Sequence, residues 1–164
     1  MSALDPTALE RPQRGLDCAA RELLGMGQKI EHMLISAEPL YDRWNDQIAK
    51  SIRDQDLLIQ RMHFDIKLYL AQLGKKGLDE ELGRRSMEFA SISGSLASAS
   101  DTITRIMLDL AQRLDSQNLN FSAQGREEIS SFSDRVQNNV QLALNVMMNQ
   151  NPAEARELVE AKEK

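Results

Sequence analysis

The stretch that decides the fold is WNDQIAKSIRDQDLLIQRMHFDIKLYLAQL, residues 44–73. Ile48, Ile52, Ile59, Met62, Ile66, Tyr69 and Leu73 recur at steps of four and three, and Gln55 fills the one polar place on the seam. That spacing puts these seven residues on one stripe of an α-helix, with most of the charged residues on the other faces. Gly74 and Gly77, around Lys75 and Lys76, then stop it.

The same pattern extends in both directions. Upstream, Leu16, Ala20, Leu23, Gly27, Ile30, Leu34 and Ala37 predict a helix over 13–37. Pro39 ends it, because the residue before a proline is pushed out of the α region. Gly25 and Gly27 each cost about 1 kcal/mol relative to Ala, so they mark places where a neighbour approaches closely. Downstream, Asp79 is an N-cap and Glu80 and Glu81 suit the first turn. Ile92, Leu96, Ala99, Ile103, Ile106 and Leu110 carry the third stripe to a polar turn at 115–120. Within it SISGSLASAS, residues 91–100, reads as a face of small residues for close packing. A fourth helix opens after Ser122, with Ile129, Phe132, Val136, Val140, Ala143 and Met147 as its stripe. Pro152 interrupts it and starts a short helix.

The predicted fold is all-α: an up-down antiparallel bundle of four long helices plus a short C-terminal helix. Short connections make sequential helices antiparallel neighbours. Residues 1–12 are an irregular lead-in, 13–150 the bundle and 151–164 a C-terminal helical stub. Aromatics make up only 4% of the chain, so Leu, Ile, Met, Val and Ala build the core, as in bundles rather than sandwiches.

Net charge is −5, and basic residues are interspersed with acidic ones. That excludes a nucleic-acid footprint, which clusters Lys and Arg on one face. It also argues against direct binding of phosphate, since no run of Arg and no glycine loop at a helix start is present. No stretch approaches the roughly 18 apolar residues of a membrane span, and no signal peptide is legible. Cys18, the one cysteine, sits in an apolar stripe and reads as a buried structural thiol.

Catalytic motifs fail one by one. Neither His32 nor His63 has the Glu three residues upstream that a di-iron bundle needs. There is no HExxH, Walker A, GxGxxG or CxxC. The chain is read as a non-enzyme with no cofactor, and both histidines as surface or boundary residues. Asp56 and Gln60, four apart beside a seam, and Asp101, four after Ala97, are oxygen-bearing positions of the kind that share a cation.

Leu4-Asp5-Pro6, Ala19-Ala20-Arg21-Glu22 and Met26-Gly27, with Ile66-Lys67-Leu68-Tyr69-Leu70-Ala71-Gln72-Leu73, Phe121-Ser122, Asn151-Pro152 and Leu158-Val159-Glu160, resemble the PhoU-like domains that follow the membrane part of sodium/phosphate cotransporters. The resemblance implies two three-helix bundles, the second incomplete here. It implies acidic pairs that hold metal, which fall on Asp56 with Gln60 and on Ala97 with Asp101. Each pair keeps one carboxylate, leaving Asp56 and Asp101 as remnants or weak ligands for a family-type metal ion. It further implies a cytoplasmic regulatory domain tethered at the inner face of the membrane. Such a domain would contact the membrane part of a phosphate transporter or a phosphate-signalling protein. The alternatives are a free-standing PhoU-like regulator and a helical scaffold that forms a homodimer.

Overall fold

The computed structural model describes residues 1–149; the 151–164 stub and its Pro152 break lie outside the described residues. A 3-10 turn, Pro6–Glu10, precedes helix α1, Pro12–Ala37. A second 3-10 turn, Glu38–Tyr41, leads to α2, Asp46–Gly74. Then come α3, Glu80–Thr102, a π-helical segment, Ile103–Leu108, and α4, Asp109–Ser116, end to end as one rod. Helix α5, Ala123–Asn149, follows a short turn. Among the described residues there is no strand. The architecture is an all-helical bundle of four long rods.

Local chemistry sets the ends. Asn45 caps α2 by accepting from the Gln47 and Ile48 backbone N–H groups, and Asp79 caps α3 by accepting from Leu82 N–H. Gly77 reverses the chain between them at φ +83°, a conformation that disfavours a side chain. The lead-in is not irregular throughout. Asp5 accepts from Thr7 N–H and Oγ1, Pro6 presets the turn, and Ala8 is buried. Prolines favour first-turn positions because a free N–H is lost there anyway.

Helix α1 packs against α2, α3 and α5. Its wide apolar face allows this, with Leu16, Leu23, Met26, Ile30 and Met33 all fully buried. The two α1 glycines differ in role. A Cβ on Gly27 would stand 2.6 Å from Leu144 Cδ1 of α5, so its absence seats that helix. A Cβ on Gly25 would meet only Met62 Cε, at 3.8 Å, so no helix is pressed against it.

The third rod corrects one expectation. Ile106 and Leu110, assigned to the buried stripe, are 53% and 38% exposed, while Ile103, Met107, Leu108 and Ala111 are buried. The π segment is the reason. Its wider turn takes in an extra residue, so the inward positions advance from 103 to 107 and 111. Thr102 precedes it and Thr104 lies within its first turn, and their hydroxyls donate to the Ser98 and Ser100 carbonyls four residues back. Such side-chain bonds compete with the backbone ladder and bend helices.

Two tyrosines are buried in opposite circumstances. Tyr69 Oη donates to the Asp5 carbonyl at 2.8 Å and clamps the lead-in to α2. Tyr41 Oη has no hydrogen-bond partner among the described residues, although its ring packs edge-on against Phe121 and under the Arg126 guanidinium. Burial is the main cause that pushes both phenols up to about 12. An unpaired buried hydroxyl costs about 1–3 kcal/mol, whereas a made bond contributes about 1. Tyr41→Phe is therefore expected to raise the urea midpoint and Tyr69→Phe to lower it, each by about 1 kcal/mol of stability. Equal shifts in the same direction would refute the assignment.

Candidate functional site

The positions singled out for metal lie along the contact of α2 with α3. Gln60 Nε2 donates to Asp56 Oδ1 at 3.1 Å and to the Ala97 carbonyl at 2.8 Å. Ser100 Oγ donates to the same Asp56 oxygen at 2.8 Å, with Met33 Sδ of α1 behind it at 3.5 Å. One turn further along, His63 Nδ1 lies 2.7 Å from Ser93 Oγ. Going up α2 from 56 to 60 to 63, the partners run down α3 from 100 to 97 to 93, which is the antiparallel pairing of the two helices.

This polar layer brings Asp56, Gln60 and Ala97 together and leaves Asp101 out. Asp101 Oδ2 instead accepts from Arg105 Nε at 2.8 Å, one turn on along the same rod. Both partners of the Gln60 amide nitrogen are acceptors, so the amide turns donors, not its oxygen, toward Asp56. Ala97 offers only a carbonyl that is already used. The donor set does not fit a multinuclear metal site, which needs several free anionic oxygens around the cations. Among the described residues no group of three or more His, Cys, Asp and Glu is placed to hold a metal ion.

Sequence reasoning missed the role of the serines. Ser93 and Ser100 are fully buried and satisfy side chains of α2, so the small-residue face is a hydrogen-bonding surface as well as a close-packed one. The signal was present in the spacing: 93, 97 and 100 on one helix mirror 63, 60 and 56 on the other.

A further concavity lies elsewhere, between α1 and α2. It is a groove of about 620 Å³ that the lead-in closes at one end. Glu22, 6% exposed, anchors that end by accepting from Ala3 N–H at 2.7 Å and Ser2 Oγ at 3.2 Å. Arg21, Lys29 and His32 of α1 and Arg61 of α2 line it, with Gln28, Gln55 and Asp65. Basic residues scattered in sequence are thus gathered on one groove, contrary to the expectation that they are nowhere clustered. Residues 21, 25, 28, 29 and 32 share a side of α1 at steps no periodicity of apolar residues reveals. Cys18, as expected, is buried, beside Tyr69.

The fold and this site define a helical bundle with a buried polar layer and an open mixed-charge groove. No family model matches the chain, and no solved structure matches it. Curated relatives do. The chain is 31% identical over 159 residues to the candidate inorganic phosphate export protein YjbB of Salmonella typhimurium. It is 32% identical over 165 residues to the protein of the same name in Escherichia coli K12. Each match takes in 97% of this chain and 29% of the relative, so the chain spans under a third of the relatives' length.

Burial of the His63 ring against Ser93, with Lys67 nearby, holds its pKa below the usual histidine range. The folded state thus resists the proton that the unfolded chain accepts near pH 6.5, and stability is lost as pH falls below that value. Urea midpoints measured from pH 7.5 to 5 are expected to fall, and the fall to shrink in His63→Gln. An undiminished pH dependence in the variant would show that other groups govern it.

Proposed function

We propose that the chain is a PhoU-like regulatory or accessory domain of a phosphate transporter, non-enzymatic and working by protein contact. The observation that carries this reading is the match itself. Relatives named for phosphate export align with nearly the whole chain, yet it accounts for only 29% of their length. No helix among the described residues is long and apolar enough to cross a membrane. A transporting part would therefore have to lie in the remainder of such a protein. The resemblance of the opening residues to cotransporter domains adds sodium coupling and a position on the cytoplasmic side to the proposal.

The interior supports a role in contact rather than in catalysis. Its polar groups satisfy each other across α2 and α3, and the hydroxyl beside His63, Ser93 Oγ, is fully buried between the two helices. A second reading is a free-standing PhoU-like regulator or a dimerising scaffold. The exposed Leu57, Phe64 and Leu68 on the outer face of α2 favour a contact surface under either reading.

Fractionation of the source cell separates these readings, with an antibody raised against this bundle. The accessory-domain reading predicts a membrane-fraction band well above 18.5 kDa. A band near 18.5 kDa outside the membrane fraction would overturn it and leave the free-standing regulator.

A further inference from the structure

We propose that the groove between α1 and α2 is a binding site for a multiply charged oxyanion of the phosphate class, held by Arg21, Lys29 and Arg61. None of these three cations makes an ion pair among the described residues. Two carboxylates share the groove, and one of them, Glu22, is already occupied by Ala3 N–H and Ser2 Oγ. The uncommitted side chains are thus three cations against Asp65 alone, on a protein whose net charge is −5.

Helix geometry lets the three converge. Met62 faces Gly25, so Arg61 beside it stands across from the midpoint between Arg21 and Lys29. Gly25 is four residues from each, about 6 Å along the axis, a span that an Arg or Lys side chain covers. The missing Cβ at Gly25 keeps the floor of the groove open there. Guanidinium groups from two helices offer planar pairs of N–H donors that match tetrahedral oxyanions, and the ammonium adds a point charge. Gln28 and Gln55 supply neutral amide donors at the edges. The site goes beyond the accessory-domain reading, since it belongs to this chain's own groove whatever longer protein carries it.

The source of the oxyanion is free inorganic phosphate or pyrophosphate, or the headgroup phosphate of a lipid. Amide and guanidinium resonances of the whole chain are followed by NMR during titration with inorganic phosphate and with pyrophosphate. Ionic strength is held constant with chloride. Flotation with phosphatidylglycerol vesicles supplies the lipid arm. The expected result is saturable shifts on the α1 and α2 walls of the groove, or flotation with the vesicles. Either affinity falls about tenfold in Arg21→Gln and in Arg61→Gln and is unchanged in Arg135→Gln on α5. The arm that responds names the source. Absence of saturable binding in both arms, or binding that the two groove variants leave intact, overturns the proposal. Both groove arginines are exposed, so circular dichroism of the variants separates lost binding from lost fold.

Discussion

Every other rod in this bundle depends on the burial of α1. Leu16, Leu23, Met26, Ile30 and Met33 give it an apolar face wide enough to serve α2, α3 and α5 together. A helix with a single narrow seam could hold one partner; this one is the wall that three share. Each fully buried Leu, Ile or Met contributes about 1.5–3 kcal/mol relative to exposure, so the five together outweigh any single polar contact in the molecule. The surface ion pairs that decorate it, Lys50 with Asp54 or Arg84 with Glu88, are exposed and weigh little beside this.

The polar layer between α2 and α3 works differently. It adds little net energy, since each bond replaces one to water, but breaking it strands fully buried serines. Asp56, Gln60 and His63 therefore fix the register of the two helices, because a slip would leave Ser93 and Ser100 facing apolar neighbours. The resemblance to metal-binding bundles and the observed chemistry diverge at these positions. With Gln at 60 and Ala at 97, Asp56 accepts hydrogen bonds from within the protein. The seam is a structural contact between α2 and α3. The open groove on the other side of α2 is left as the place where a charged ligand meets this bundle.

Much of the fold was legible because α1 and α2 each keep a single period. The stripes of α1 and α2, the caps at Asp79 and the stop at Gly74 fall within a residue or two of their expected places. The third stripe was legible up to Ile103 and then failed. A π turn changes the number of residues per turn, and its cause, hydroxyl bonding by Thr102 and Thr104, is invisible to a count of apolar steps. Gly27 was readable as a close approach, but which helix came close was not. The candidate site was legible least. Asp56 and Gln60 were found by their spacing, yet their partners Ser93 and Ser100 looked like filler until α3 was laid antiparallel to α2. The groove cations come from two helices, Arg21 and Arg61 standing 40 positions apart in the chain, so only the packing of α1 on α2 unites them.

Helix α1 is the shared wall of the bundle. Native-state hydrogen exchange tests it residue by residue. Amides at 23–34 are expected to exchange only through global unfolding and to be the slowest among the described residues, with α5, which packs on fewer sides, opening at lower free energy. Amides in the middle of α1 that exchange by local opening, faster than those of α5, would contradict it.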